Sequence, residues 1–305
     1  MSEARCEGAA ARRFGRRAAL EALPGLASDV NKYTRGTVLV AGGSAAYPGA
    51  AILAARAASR AGAGYVRLAA PQDAAAVAQH HLCSIPVSAC SQQDGALCAA
   101  AAEEVLAAGG KSNVFVVGPG LTRTESAEAF LCTLLAQLDK PVVLDADALN
   151  ILAAHPELSE HLTPGKAILT PHEGEAARLL GHAVEDRAGC VRELAGRYHA
   201  TVVLKGPKTL IGAASGTLYE CDNAGPELAK AGTGDVLAGI IGALVAQGAP
   251  ALEAAALAVY LHGSAGKLAA CRVSAYAVTP EDIVESIGPA LLELIAGQGC
   301  SGSEL

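Results

Sequence analysis

The chain is 305 residues long, 51% hydrophobic and only 17% charged, enough apolar material for a large core and too much for extended disorder. A formal net charge of -7 excludes a nucleic-acid surface, because such binding leans on Lys and Arg neutralising phosphates. Nine cysteines without a Cys-x-x-Cys pair fit neither a disulfide framework nor a zinc site and point to a reducing cytoplasm, and no apolar run reaches bilayer-spanning length, so no membrane partner is expected.

Residues 1–30 carry Arg12, Arg13, Arg16 and Arg17 among alanines, but Glu3 and Glu7 interrupt the basic character and no apolar segment follows. The stretch therefore reads as a poorly ordered extension rather than a targeting peptide. Residues 31–298 contain no Pro/Gly/Ser-rich linker and read as one domain. The run Thr37-Val38-Leu39-Val40-Ala41 predicts a strand ending in Gly42-Gly43-Ser44, and after Pro48-Gly49 comes an alanine-rich helix over 50–61. A strand over 65–69, helices over 72–80 and 96–108, and a strand over 114–117 that runs into Gly118-Pro119-Gly120 follow. Next come a helix over 125–138, strands over 142–144 and 167–169, helices over 174–180 and 186–199, and a strand over 202–204. A hairpin over 209–211 and 217–221 precedes three helices, one after Asp235, one over 252–270 and one over 280–295. Strands that are continuous apolar runs, alternating with helices, predict an α/β fold with a central, mostly parallel sheet covered on both faces. Ligands in such sheets bind beyond the carboxyl ends of the strands, which is where every polar motif of this chain falls.

The rest is arranged around Lys230-Ala231-Gly232-Thr233-Gly234-Asp235, which opens an apolar helix. The first N–H groups of that helix lack intrahelical partners, Gly232 and Gly234 let a bulky group lie against the main chain, and the helix dipole favours negative charge. That describes a phosphate cradle. A carboxylate beside a phosphate repels it unless it takes a proton from an attacking hydroxyl, so Asp235 reads either as a general base, with Gly232, Thr233 and Gly234 steadying the phosphoryl group, or as a plain helix cap.

Four other segments carry polar residues. The loop from Gly42 to Gly49 is not a Walker P-loop, since no Gly-Lys-Ser/Thr follows, and Gly118-x-Gly120 lacks the third glycine of a dinucleotide fingerprint. Asp145 and Asp147 end a buried strand beside Asn150. Asp147 either orients a Mg²⁺-bound phosphate through water or caps the next helix, whereas Asp145, buried, needs a partner. No direct metal ligand is assigned. His172 either meets substrate or is a loop residue, and Glu173 and Glu175 suit the first turn of a helix. Lys205-Gly206-Pro207-Lys208-Thr209, two lysines about a turn in an acidic protein, marks a place for an anionic or nucleotide ligand. His262-Gly263 reads as packing.

The ordered set of these blocks, from Val38 through Gly49, Gly118-Pro119-Gly120-Leu121, Asp145-Ala146-Asp147, Thr170-Pro171-His172-Glu173-Gly174-Glu175 and Lys205-Gly206 to Asp235, resembles the ADP- or ATP-dependent NAD(P)H-hydrate dehydratase family, whose fold is ribokinase-like. The resemblance covers most of 36–290. It implies repair of NADHX and NADPHX, hydrated forms of NADH and NADPH, driven by ADP or ATP with Mg²⁺. The family pattern carries the nucleotide's AMP portion onto Lys205, Gly206, Pro207, Lys208, Thr209 and Gly234. It carries the hydrate onto Gly49, Ala50, Ala51, Gly120, His172 and Asp235, with Asp145, Asp147, Asn150 and Glu173 near the phosphates. It further implies a homo-oligomer (homotetramer) and a separate protein for the epimerase that many relatives carry as an N-terminal domain. This chain departs from the pattern at Thr122, usually glycine, and at Gly225, usually asparagine. The alternatives to this reading are a small-molecule kinase of the same fold, acting on a hydroxymethylpyrimidine or thiazole alcohol, and a silent nucleotide sensor.

Overall fold

The apolar runs that the sequence separates by turns pair into one large sheet in the computed structural model, which describes residues 10–26 and 31–296. Residues 1–9, 27–30 and 297–305 lie outside the described residues, and with them part of the extension expected over 1–30 and the domain end expected at 298. The chain begins with β1 (Arg12–Arg13), α1 (Arg16–Ala22), β2 (Thr37–Ala41), α2 (Pro48–Arg60), β3 (Tyr65–Pro71), α3 (Gln72–His81) and β4 (Val87–Cys90). A short ribbon, β5 (Gln92–Gln93) and β6 (Ala96–Leu97), leads to α4 (Ala101–Ala108). Next are β7 (Val114–Val117), α5 (Glu125–Leu135), β8 (Val142–Leu144), α6 (Asp147–Ala154), β9 (Ala167–Leu169), α7 (Glu173–Leu180), α8 (Arg187–Tyr198) and β10 (Thr201–Leu204). The hairpin β11 (Thr209–Gly212) and β12 (Leu218–Cys221) precedes α9 (Thr233–Ala246), α10 (Ala251–Val273) and α11 (Pro280–Ala296).

The sheet order is β1-β12-β11-β10-β9-β8-β7-β2-β3-β4. All strands from β10 to β4 are parallel, and β11 alone runs against both its neighbours. The chain builds outward from β2 to β4, then returns to the other side of β2 and builds outward from β7. The crevice between β2 and β7 is therefore the point where the winding reverses, the place where open α/β sheets bind ligands. Both glycine loops read from the sequence, after Ala41 and after Val117, open there, and they touch: Gly43 N–H donates to Pro119 O at 2.8 Å.

Period-two alternation splits each strand between two cores. Val38, Val40, Val114, Val116, Val143, Ile168 and Val203 face one core with α2, α9, α10 and α11. Leu39, Ala41, Phe115, Val117, Leu144, Leu169 and Leu204 face the other, with α4 to α8. The helix α9, apolar all round, is buried on nearly every side. It lies so close to α2 that a Cβ on Gly239 would overlap the Ala54 carbonyl.

Two expectations need correction. The helix expected over 96–108 starts only at Ala101, because Asp94 and Gly95 turn the backbone through positive φ (52° and 73°) and Ala96 and Leu97 pair back onto Gln92 and Gln93. Within the stretch expected to be poorly ordered, residues 10–26 are built into the fold. Arg12 and Arg13 pair in parallel with Tyr219 and Glu220, Phe14 is buried with its ring edge-on to Tyr219 at 5.3 Å, and Ala19 is buried. The missed signal was a lone phenylalanine among arginines, too short for any periodicity to register. Among the described residues no helix is long and apolar enough to cross a membrane, and every cysteine is free.

If Phe14 anchors this segment, Phe14→Ala will cost about 3 kcal/mol of stability, read as a lower urea midpoint. An unchanged midpoint would show that the segment is merely laid on the surface.

Candidate active site

The polar residues at the ends of β8, β9 and β10 converge on one carboxylate. Asp145, 1% exposed, accepts from Lys205 Nζ at 2.9 Å and from Thr170 Oγ1 at 2.6 Å, both on Oδ1. These are the partners that a buried carboxylate requires. Gly118, at the end of β7, has φ 124° and packs so tightly that any side chain would strike the Asp145 carbonyl. Glu175, also buried, lies 3.8 Å from Lys205 Nζ. Burial pushes its carboxyl up, with the Asp145 charge adding and Lys205 opposing. Burial lowers the Lys205 pKa, but the Asp145 and Glu175 charges outweigh it and the net shift is upward.

His172 caps α7. Its Nδ1 accepts from Gly174 N–H at 3.0 Å and from Glu175 N–H at 3.3 Å, while Glu175 Oε2 accepts from His172 N–H at 2.9 Å. Asp147 opens α6 without capping it: Oδ2 accepts from Thr122 N–H at 3.0 Å, and Oδ1 lies 3.7 Å from Arg123 Nε. Asn150 donates to Asp147 Oδ1 at 3.4 Å and accepts from Arg178 Nε at 2.7 Å.

Gly232, with φ 93°, turns the chain into α9 against Leu53 and Pro280. Thr233 Oγ1 donates to Leu228 O at 2.8 Å, fixing the turn from behind. Among the described residues the Asp235 carboxylate makes no hydrogen bond to protein. Burial pushes its pKa up to about 7, with the charge of Asp145 adding, Lys205 opposing and Asp147 adding again. Thr233 N–H, expected to steady a phosphoryl group, is instead turned back onto Lys230 O at 3.4 Å, closing the tight turn before α9. A carboxyl poised near neutrality, beside the N–H groups of Gly234 and Asp235, is suited to take a proton while those groups hold an anion.

Beside it lies a cavity of about 480 Å³. Lys205, Gly206, Pro207 and Thr209 form one wall, and Thr233 and Gly234 form its base. The loop from Ala224 to Ala229 supplies a further wall, and Leu237, Val259 and His262 complete the lining. A charged end at Lys205 and an otherwise apolar lining suit a nucleotide with its base inside. Gly49, Ala50, Ala51 and Gly120 gather at the crevice between β2 and β7: a Cβ on Gly120 would come within 3.0 Å of Ala50 Cβ. Lys208 lies apart from the cavity, exposed and 3.8 Å from Glu220. Glu173 also turns away, onto Arg187, whose Nη2 donates to Lys208 O at 3.0 Å and so ties down the lysine loop.

Sequence reasoning missed the wall from Ala224 to Ala229 and gave His262 a packing role only. Its ring is buried, Nε2 has no partner, and burial together with the Lys205 charge lowers its pKa to about 4, so it is neutral. The departure at Gly225 has a steric counterpart: a side chain there would overlap the Glu227 carboxylate, which fills that corner instead.

The model of the NAD(P)H-hydrate dehydratase family matches residues 38–289. The chain belongs to that family. The ADP-dependent (S)-NAD(P)H-hydrate dehydratase of Neisseria meningitidis serogroup B is 43% identical over 246 residues, 78% of this chain and 79% of its own. The bifunctional NAD(P)H-hydrate repair enzyme Nnr of Salinibacter ruber is 39% identical over 78% of this chain, and the chain spans 45% of its length. A ribokinase-like superfamily protein from Enterococcus faecalis superposes with a TM-score of 0.81 at 25% identity, over 96% of this chain and 99% of its own. The ADP/ATP-dependent NAD(P)H-hydrate dehydratase from Bacillus subtilis, co-crystallized with ATP/Mg²⁺, superposes with a TM-score of 0.77 at 27% identity, over 93% and 99%. The fold of this family member is thus ribokinase-like.

Lys205→Met leaves the Asp145 and Glu175 carboxylates buried without their cation and will cost about 3 kcal/mol at pH 8. The deficit will shrink on acidification, as the orphaned carboxylates take up protons. In the parent chain the sign is opposite: a lysine with a raised pKa stabilises throughout neutral pH and ceases to do so only above the ordinary lysine range. Urea titrations of both chains at pH 5.5 and 8 measure this.

Proposed function

We propose that this chain dehydrates the (S) epimer of NADHX and NADPHX, driven by ADP or ATP. The products are the reduced cofactor, phosphate, and AMP or ADP. The observation that carries the reading is Asp235: a carboxyl without a protein partner, its pKa raised to about 7, at the glycine-lined start of α9 beside the cavity. Membership of the dehydratase family supplies the chemistry that such a group would serve.

In this reading Asp235 takes the proton of the ring hydroxyl as its oxygen attacks the terminal phosphorus. The bridging P–O bond breaks and the shorter nucleotide leaves. The N–H groups at the start of α9 and Lys205 face the charge that builds on the transferring group, and one such donor is worth about 3 kcal/mol. The ring nitrogen then expels phosphate, and loss of a ring proton restores the dihydropyridine. The Bacillus subtilis relative was co-crystallized with ATP/Mg²⁺. Here no cluster of three acidic, histidine or cysteine groups exists among the described residues. Asp145 Oδ1 is occupied by Lys205 and Thr170, which leaves Oδ2 and Asp147 to hold a Mg²⁺ ion through its water shell. Such an ion would neutralise phosphate charge. The reading extends to a cytoplasmic homo-oligomer that works alongside an epimerase activity.

Chemically prepared NADHX mixed with the protein and ADP, or ATP, will yield reduced-nicotinamide absorbance and free phosphate in equal amounts. A stable phosphorylated product would instead mark a kinase. Asp235→Asn will bind nucleotide normally and lose at least about a thousandfold in kcat. In the parent chain kcat/KM will rise with pH to a plateau above about 7, because a base works only when deprotonated. A flat profile through that range assigns the proton transfer elsewhere.

A further inference from the structure

A second groove, of about 570 Å³, is lined chiefly by α6, with Glu128 of α5, Arg178 of α7 and Arg123 before α5. Its lining carries two cationic groups, Arg123 and Arg178, one amide, Asn150, and one carboxylate, Glu128. Glu128 is itself engaged by His155, at 3.4 Å. The groove reaches the candidate site's residues through Asp147 and Asn150. Arg123 follows Gly120 by three residues and lies 3.7 Å from Asp147 Oδ1. Arg178 bonds Asn150 through Nε, and its Nη1 reaches back over the start of α7: a Cβ on Gly174 would lie 3.8 Å from that nitrogen and 3.3 Å from His172 Nδ1. Thr122 stands in sequence between Gly120 and Arg123. It is a β-branched residue held at φ 71°, its N–H tied to Asp147, with a buried Oγ1 that has no partner. A β-branched residue in this conformation is an outlier, and such residues gather where a ligand is gripped.

Two guanidiniums line one groove of a chain of net charge -7, and of the two carboxylates near them Glu128 is met by His155 and Asp147 by Arg123. Planar guanidinium forks match phosphoryl oxygens. We propose that this groove holds the phosphate-bearing tail of the dinucleotide hydrate, with Arg178 and Arg123 as its phosphate contacts, while the damaged ring lies at Asp235. The inference rests on the dehydratase reading and adds the half of the substrate that takes no part in the chemistry. The phosphoryl group gripped is either the diphosphate bridge, common to both hydrates, or the 2′-phosphate that only the NADP form carries.

The test is the double variant Arg123→Gln, Arg178→Gln, with thermal melting as the check on folding. KM for the hydrate will rise at least tenfold with kcat and the KM for ADP nearly unchanged. Added salt will weaken the parent more than the variant. A loss confined to NADPHX assigns the 2′-phosphate, and an equal loss for both hydrates assigns the diphosphate. Calorimetric titration with NADH and NADPH reads the same contacts without turnover. A parent chain that binds these dinucleotides but turns over no hydrate removes the dehydratase reading alone. A variant that binds them as tightly as the parent, or whose KM rises only for ADP, overturns the groove assignment.

Discussion

The site depends on one buried ion pair. Lys205 and Asp145 come from strands separated by β9, and their 2.9 Å contact, shared with Thr170 from that intervening strand, fixes the ends of three parallel strands relative to one another. Burying either charge alone would cost several kcal/mol, so neither side chain is free to leave while the other stays. The same pair sets the field at α9. Burial raises Asp235 towards neutrality, and on top of that the Asp145 charge adds to the rise while the Lys205 charge limits it, so the pair trims the poise of the proposed base.

That arrangement also explains why the sheet is built as it is. Parallel strands deliver all their carboxyl ends to one edge, and the reversal of winding between β2 and β7 leaves a crevice there that two glycine loops line without filling. The close approach of Gly239 to Ala54 holds α9 against α2, so the start of α9 and the start of α2 face the same crevice. A side chain at Gly239 would separate them and open the site from behind.

Much of this was legible in the residues. Strands such as Val114-Phe115-Val116-Val117 are unbroken apolar runs bounded by glycine, and their limits followed from those boundaries. Asp145, Lys205 and Asp235 stood out because charged groups beside buried runs need a reason. What escaped was whatever depends on long-range pairing. Val87–Cys90 became a strand only because β3 offers it an edge, and Arg12–Arg13 only because β12 does. The segment from Ala224 to Ala229 is mostly small and apolar, its one charge, Glu227, is buried, and it lines a cavity only in company with Val259 and His262 of α10. Lys208 and Glu173 look apt in their motifs, and their contacts here, to Glu220 and Arg187, come from elements that no local motif reveals.

The cap on α7 has one more consequence. Because the ring nitrogen Nδ1 of His172 receives two backbone protons, its lone pair is spent inside the protein, and the neutral imidazole must keep its own hydrogen on Nε2. The tautomer is thereby chosen by the fold before any ligand arrives, and the half-exposed edge of this side chain can only give a hydrogen bond, never take one. A dinucleotide passing that edge would be recognised through its oxygens.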